Sequence, residues 1–463
     1  MLKTEKIKNP YLYNYLDTIR MGFPIIIART SILIMVTIDA IMTGWAGAEQ
    51  LAYLGIGLAP VIALMVIFIG ALNATVVLAS QAIGAKEEFN VGGIWYSSMA
   101  HSIIFSFISI FLAYFVEDFF LLTGQDTNIA TEGARVSLVF AYGIPGMLFF
   151  VTTNLILESI GYQKAGMYIM IFVNILNVIF NGIFILSWGG FFPEGGAYEA
   201  IVISSILRWV AFFIALIYLF LISDRNDDLY KIRKSYNEIK ENLFSLKNRI
   251  SRKFRKVALP MSLLQGVEIV AFSIVVFIAG WFGSKALAAH HATYTIMNLI
   301  YMSAIGVAGA TSIRVGKAVG RQNITDTKLA GLMGILVAFS ITLPVSLFTI
   351  LYPELIADIF FDDPEMILLT KEIMFFVGFL FIFDTMMAVS LGALRGTGDV
   401  WIPFIILSLC FWFFGMPISY IFSVSLGYGL VGLWMGIGFG IISSLLLLVP
   451  RFYIISSRSI KKL

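Results

Sequence analysis

The sequence predicts an all-α polytopic membrane protein with twelve transmembrane helices, arranged as two six-helix lobes that are related by a parallel pseudo-two-fold repeat. The first observation is composition: 59% of the 463 residues are hydrophobic and only 13% are charged, whereas soluble globular chains carry about 25% charged residues. The second is that apolar runs of about 18 residues or more recur along the whole chain. The third is that the second half of the sequence repeats the first.

Twelve apolar stretches are each long enough to cross a bilayer as a helix, and the short alternating segments typical of barrel strands do not occur. The first stretch is too long for the hydrophobic region of a signal peptide, so we expect it to remain as the first span. In chain order, the predicted spans are residues 21–45, 54–83, 93–116, 131–157, 166–187, 197–222, 257–281, 288–315, 328–351, 368–394, 401–424 and 429–450.

Basic residues are concentrated on one side of this predicted topology. They lie at both termini and in the connections that follow the even-numbered spans, with eleven Lys and Arg residues in segment 223–256 alone. The connections on the other side contain only Lys285 and Lys371. By the positive-inside rule, both termini and the central segment are therefore predicted to be cytoplasmic, in a protein of the cell inner membrane.

A shift of 236 residues, without gaps, aligns many positions of the two halves. The matches include Pro24 with Pro260, Gly44 with Gly280, Trp45 with Trp281, and Gly84 with Gly320. Because each half has six spans, an even number, both halves enter the membrane from the same side and form a parallel repeat. Two such bundles are expected to enclose a central cavity and to rock between two orientations, which favours a transporter.

The repeat and the charge distribution divide the chain into three parts. These are an N-lobe (residues 1–222), a cytoplasmic linker (residues 223–256) and a C-lobe (residues 257–463). In the linker, hydrophobic residues from Ile232 to Phe254 recur at three- or four-residue spacing among Lys and Arg residues. This pattern is typical of an amphipathic helix on the inner leaflet, and a solvated linker is the alternative.

Asp39 lies inside the apolar first span. A charge near the middle of a bilayer costs about 2.5–3.5 kcal/mol on insertion scales, so acidic residues there are rare and usually functional. Thr43 lies one turn away on the same helix face. Burial away from water disfavours the charged form of a carboxylate, which suits a protonation switch. The alternative is a carboxylate that only joins two helices by hydrogen bonds.

Three further polar residues of the first half are candidates to contact Asp39. Asn177 and Asn181 lie four residues apart on one face of the fifth span, and buried amides need hydrogen-bond partners. Arg208 lies near the middle of the sixth span and needs a counter-ion, and Asp39 is the only deep acid in its half. A static pair of Arg208 with Asp39 is therefore the alternative to a switching Asp39.

The second half carries two acidic residues near mid-membrane, Glu268 in the seventh span and Asp384 in the tenth. Two carboxylates in one bundle can form a monovalent-cation site that carbonyl, hydroxyl or water oxygens complete. They could equally share one proton, because two like charges at close range resist ionising together. A purely structural role would leave two buried acids with no basic residue nearby in the sequence.

The sequence predicts no catalytic cluster and no metal site. The single cysteine, Cys410, lies in an apolar run, and the three histidines do not form a zinc-binding pattern. We therefore expect a transporter rather than an enzyme. It is predicted to need no cofactor beyond a coupling ion, Na⁺ or H⁺, and to bind no nucleic acid.

Three segments resemble those of the multidrug and toxic compound extrusion (MATE) transporters: IDAIMTGWAGAEQLA (38–52), ATSIRVGKAVG (310–320) and LGALRGTGDV (391–400). The resemblance covers nearly the whole chain. It is closer to the NorM-like branch of the family, which carries Glu in the seventh span and Asp in the tenth. That branch also has an Asn in the fifth span, here Asn181, where the DinF-like branch has Asp.

The resemblance implies export of bulky organic cations against inward Na⁺ or H⁺ across the inner membrane. It also implies that Glu268 and Asp384 bind the coupling cation in the C-lobe; we refer to them as the C-lobe acid pair. Asp39 would form a polar site in the N-lobe. We refer to the following residues as the N-lobe polar site: Asp39, Thr43, Asn177, Asn181 and Arg208. The predicted partners are small lipophilic organic cations and the bilayer, with the protein a monomer.

Pro24 matches the proline of the first span in this family, which is associated with helix bending because proline removes a backbone donor. One position departs from the pattern. Some NorM-like members have a tyrosine one turn before the acid of the tenth span, where this chain has Leu380, so both coupling ions remain open. The alternative function is a lipid-linked oligosaccharide or lipid flippase of the same superfamily. A flippase would have several basic residues in its central cavity, where only Arg208 and Arg135 qualify.

Overall fold

The structure is a computed structural model that describes residues 9–190, 192–233 and 248–463. These residues form helices and no β-strand, and they include twelve helical spans that are long and apolar enough to cross a membrane. The prediction of an all-helical, multi-pass membrane protein is therefore confirmed. The predicted amphipathic helix of the linker falls largely on residues 234–247, which lie outside the described ranges.

Eight helices build the six spans of the first half. They are α1 (Pro10–Ala46), α2 (Ala48–Leu72), α3 (Ala74–Gly84), α4 (Val91–Ala113), α5 (Val116–Leu122), α6 (Thr127–Ser159), α7 (Gln163–Phe184) and α8 (Ala197–Arg225). Helices α2 and α3 together form the second span, which is interrupted at Asn73. The short α5 lies between spans and was not predicted.

Eight more helices build the second half. They are α9 (Arg249–Gly280), α10 (Ser284–Gly320), α11 (Ile324–Leu351), α12 (Pro353–Ala357), α13 (Pro364–Thr397), α14 (Trp401–Leu409), α15 (Met416–Tyr420) and α16 (Gly429–Ser456). The eleventh span is not a continuous α-helix, because stretches of π-helix at Cys410–Gly415 and Ile421–Ser425 follow α14 and α15.

Several helices extend beyond the apolar stretches that predicted them. Helix α1 begins at Pro10 rather than near residue 21, and the Asn9 side chain accepts a hydrogen bond from the Tyr11 amide at 2.9 Å. Asp126 caps α6 and Asp363 caps α13 in the same way. Hydropathy detects only the part of a helix that crosses the hydrocarbon core, whereas capping residues fix where the helix begins.

The internal repeat is visible in the helix bounds. The second span covers Ala48–Gly84 and the eighth covers Ser284–Gly320, so both their starts and their ends are 236 residues apart. The same offset relates Pro24, inside α1, to Pro260, inside α9. The structure therefore preserves the repeat at the level of whole helices and not only of matched residues.

The chain forms two compact units. The N-unit consists of Ile27–Ser262, and the C-unit consists of Met1–Ile26 with Leu263–Leu463. Helices α1 and α9 are each divided between the units, two residues after their prolines. The lobe boundaries predicted from the repeat, at residues 222 and 257, remain a prediction. The units differ from those lobes in placing the first 26 residues with the second half.

In the N-unit, α6 packs against α2, α4 and α8. A buried ion pair fixes the end of α6 to α1: Arg29 Nη2 lies 3.1 Å from Glu158 Oε1. Asn154 Nδ2 donates a further hydrogen bond of 2.7 Å to the same oxygen. The Glu158 side chain is only 1% exposed, so its charge depends on these two partners.

Replacing Glu158 with Gln should destabilise the protein by about 3 kcal/mol, because it leaves Arg29 without its buried counter-charge. The same helix offers a matched control: Arg135 pairs with Glu132 at 3.0 Å, and both side chains are substantially exposed. Replacing Glu132 with Gln should cost less than about 1 kcal/mol. Unfolding of the two variants in SDS, followed by tryptophan fluorescence, measures the difference. Equal losses would contradict a structural role for the Arg29–Glu158 pair.

In the C-unit, α13 packs against α10, α11 and α16. The beginning of α1 is anchored to α10 by Arg314, whose guanidinium donates to Asn14 and Thr18. Arg314 also pairs with Asp17 at 3.1 Å. This saturated set of partners explains why the first residues of α1 belong to the C-unit.

Candidate functional site

The N-lobe polar site forms around Asp39, whose side chain is 1% exposed. Its Oδ1 accepts hydrogen bonds from Asn177 Nδ2 at 2.9 Å and from Asn181 Nδ2 at 2.8 Å. Its Oδ2 accepts a hydrogen bond from the Ser204 hydroxyl. Asn177 Nδ2 also lies 3.1 Å from Ser204 Oγ. The structure thus joins α1, α7 and α8 through one carboxylate and three neutral donors.

The spacing of residues on α7 and α8 explains this geometry. Asn177 and Asn181 are four residues apart, so both amides point from one helix face towards α1. Ser204 had not been singled out, since serine is common in membrane helices. It lies four residues before Arg208 on α8, and that spacing from a buried arginine was the signal that could have identified it.

Thr43 and Asn174 border the same site. Thr43 is fully buried, but its Oγ1 has no hydrogen-bond partner among the residues described, so it does not bind Asp39. Asn174 Nδ2 donates to the Ser31 carbonyl at 2.9 Å. The amide oxygens of Asn174, Asn177 and Asn181 are likewise buried without partners. The site therefore holds several unpaired oxygen atoms beside a carboxylate.

Arg208 lies in the same unit and is 4% exposed. Its guanidinium carbon lies 3.9 Å from the centroid of the Phe140 ring, and Nη1 has no hydrogen-bond partner in the described part of the chain. Arg208 and Asp39 interact electrostatically. The described ion pairs do not include them, since Asp39 accepts from neutral donors instead. The direct pair that was the alternative to a switching Asp39 is not formed.

A small apolar cavity lies beside Arg208. Its lining includes four methionines: Met35, Met65, Met147 and Met170. Methionine side chains are flexible and polarisable, so they can repack around differently shaped apolar groups. The permanent charge of Arg208 thus borders both a polar cluster and a soft apolar surface.

The C-lobe acid pair lies in the C-unit. Asp384, on α13, is 6% exposed, whereas Glu268, on α9, is partly exposed. The two carboxyl groups interact electrostatically with each other. The structure therefore brings together the two acids that the sequence singled out in the second half.

Two residues that the sequence analysis did not select complete this environment. Tyr301, on α10, interacts electrostatically with both carboxyl groups. Arg395, near the end of α13, interacts with Glu268 and with Tyr301. Leu380 is buried and offers no hydroxyl, so Tyr301 is the phenol that stands near the acids. The acid pair also has a basic neighbour, contrary to the expectation from the sequence.

The two sites differ in charge. The N-lobe polar site has one carboxylate and one guanidinium, from Asp39 and Arg208. The C-lobe acid pair has two carboxylates near one guanidinium, Arg395. With every group ionised, the first environment is neutral and the second carries a net negative charge. A free cation would therefore be attracted more strongly to the second.

Other residues considered in the sequence lie apart from both sites. Pro24 is buried inside α1, which remains helical on either side of it. His290 is fully buried against Trp434, at a ring-centroid distance of 5.4 Å. In the described ranges, no group of three or more His, Cys, Asp or Glu residues could hold a metal ion.

Sequence comparisons place this geometry in a known context. The MatE family model matches residues 24–183 and 260–421, one match in each half. The chain is 27% identical to "Multidrug resistance protein MdtK" of Photorhabdus laumondii, over 95% of each chain. It is also 27% identical to "Probable multidrug resistance protein NorM" of Bacillus cereus, over 93% of each chain.

Comparison with solved structures supports the same fold. The eukaryotic MATE transporter AtDTX14 matches with a TM-score of 0.85 at 16% identity, over 98% of this chain and 100% of that one. A MATE crystal structure in the bent conformation also matches with a TM-score of 0.85, at 20% identity, over 99% and 98% of the two chains. At these identities, the likeness concerns the fold alone.

Proposed function

Since the chain belongs to the MatE family, we propose that it is a multidrug efflux antiporter that exports small, lipophilic organic cations in exchange for Na⁺ or H⁺. The names of the relatives in Photorhabdus and Bacillus support multidrug efflux. Family members are carriers rather than enzymes, and they use ion coupling rather than a cofactor. The observation that carries the ion coupling is the C-lobe acid pair, two carboxylates with a single basic neighbour.

In this proposal, Glu268 and Asp384 bind the coupling ion from outside. Tyr301 supplies a hydroxyl near them, which Leu380 does not. The bound ion biases an equilibrium between conformations that open to opposite sides. A ligand can shift such an equilibrium only by its difference in affinity for the two states, so substrate and ion must favour different states.

The N-lobe polar site is proposed to take part in the same coupling through Asp39. The hydrogen bonds from Asn177, Asn181 and Ser204 stabilise its charged form, and they would rearrange if that charge were neutralised. Pro24 is proposed to allow α1 to bend during the cycle, because it lacks the donor that a straight helix would use.

Location and assembly follow from the charge distribution and the family. We propose an inner-membrane protein with both termini cytoplasmic, because Lys and Arg residues are concentrated in those segments. The protein is proposed to act as a monomer, without a nucleic-acid partner. A flippase role gains no support from the relatives. Of the two basic residues that it would use, Arg135 is exposed and paired with Glu132.

Efflux of ethidium from proteoliposomes tests the proposal. An inward Na⁺ gradient at equal pH and an inward proton gradient without Na⁺ are applied separately, with protein-free liposomes as the control. We expect efflux under at least one gradient. A Na⁺-driven signal assigns the acid pair as a sodium site, and a proton-driven signal assigns protonation as the switch. Absence of efflux under both gradients would overturn the antiport proposal.

A further inference from the structure

Arg208 carries a charge that the proposed transport cycle does not use. A guanidinium stays protonated in proteins, so this charge is permanent. Its side chain is 96% buried, it contacts the face of Phe140, and Nη1 is unpaired among the residues that the structure describes. Buried charges inside a membrane bundle are costly and usually functional, so this arginine calls for an explanation.

The neighbouring acid does not account for Arg208 by direct pairing. Asp39 interacts with it electrostatically, yet the oxygens of Asp39 accept hydrogen bonds from Asn177, Asn181 and Ser204. The attraction therefore acts at a distance, and the donors of Arg208 are not committed to the carboxylate. Arg208 supplies charge to the site without occupying the hydrogen-bonding positions around Asp39.

The N-lobe polar site also contains oxygen atoms of the kind that small hard cations bind. The amide oxygens of Asn177 and Asn181 and the hydroxyl oxygen of Thr43 are buried and unpaired in the described structure. Carboxylate, amide and hydroxyl oxygens are suitable ligands for such ions. Everything needed for a monovalent-cation site is present, together with one fixed positive charge.

We infer that Arg208 is a tethered counter-cation that competes with free monovalent cations at the N-lobe polar site, so that Na⁺ binds only at the C-lobe acid pair. Two positive charges close together in a membrane interior repel each other, which weakens binding of the second. The acid pair escapes this penalty because Arg395 faces two carboxyl groups. The inference rests on the proposed ion coupling and adds which site excludes a metal cation.

Binding of ²²Na⁺ to purified protein tests the inference as a gain of function. The starting protein is Glu268→Gln/Asp384→Asn, in which the acid pair is removed and only the N-lobe polar site can respond. Adding Arg208→Gln should raise the association constant for Na⁺ about tenfold or more, because one nearby like charge is lost. Arg208→Met, which keeps an apolar contact with Phe140, should do the same, and Arg208→Lys should not.

Two controls assign the gain to this site. Arg135→Gln, which removes an exposed arginine of the same unit, should leave Na⁺ binding unchanged. Adding Asp39→Asn to the Arg208→Gln protein should abolish the gain. Folded Arg208→Gln and Arg208→Met proteins that bind Na⁺ no better than the starting protein would overturn the inference. Comparison of the starting protein with the unmodified chain reads the acid pair separately, so failure of the proposed coupling is distinguishable.

Discussion

Glu268→Gln and Asp384→Asn should each abolish ion-driven ethidium efflux, with a loss of at least tenfold, while the protein remains folded. Each replacement keeps the size of the side chain but removes one of the two carboxylates that could hold Na⁺ or share a proton. The remaining acid faces Arg395 alone, so the net negative charge that attracts a cation is lost. Efflux from proteoliposomes under the effective gradient measures the result.

The same helix as Asp384 provides a control for this prediction. Glu372, near the beginning of α13, is exposed, and Glu372→Gln should transport normally. Size-exclusion profiles that match the unmodified protein would exclude misfolding as the cause of lost efflux. Full transport by both Glu268→Gln and Asp384→Asn would eliminate the acid pair as the coupling site and would leave Asp39 as the remaining candidate.

The number of spans and the repeat could be predicted from the sequence because both depend on composition. A bilayer requires about 20 apolar residues per helix, and such runs are visible without any knowledge of packing. The offset of 236 residues, found from residues such as Pro24 and Pro260, returned in the bounds of whole helices. Helix ends could not be predicted equally well, since a cap such as Asn9 lies well outside the apolar stretch.

Breaks inside spans were invisible to hydropathy. The second span is interrupted at Asn73, and the eleventh contains π-helical stretches around α15. These stretches are as apolar as regular helices, so composition does not distinguish them. The division of α1 between the two units depends on Arg314 and its partners Asn14 and Asp17, which are about 300 residues apart in sequence.

Acids and amides of the two sites were found because polar groups are rare in apolar spans. Asp39, Asn177 and Asn181 were each conspicuous, and the structure joins them. Tyr301 and Arg395 were missed for opposite reasons. Tyrosine is ordinary in a membrane helix, and Arg395 was assigned to a cytoplasmic helix end by the positive-inside rule. That rule counts the charge of an arginine, but it does not show how far the side chain reaches.

The charge difference between the sites leads to the second large effect. Asp39→Asn should lower the free energy of unfolding by about 2–3 kcal/mol, because it leaves the buried Arg208 without a counter-charge. We expect less than the ~3–5 kcal/mol typical of breaking a direct buried pair, since the two side chains interact without direct contact. Unfolding in SDS, followed by tryptophan fluorescence, gives the loss.

A double variant separates the charge effect from the lost hydrogen bonds of Asp39. Asp39→Asn/Arg208→Gln removes both charges, and it should recover most of the stability lost in Asp39→Asn. The recovery isolates the Arg208–Asp39 coupling, because the bonds from Asn177 and Ser204 are perturbed equally in both proteins. If the double variant were no more stable than Asp39→Asn, Arg208 would not depend on Asp39. The N-lobe would then contain two independent buried charges rather than one compensated pair.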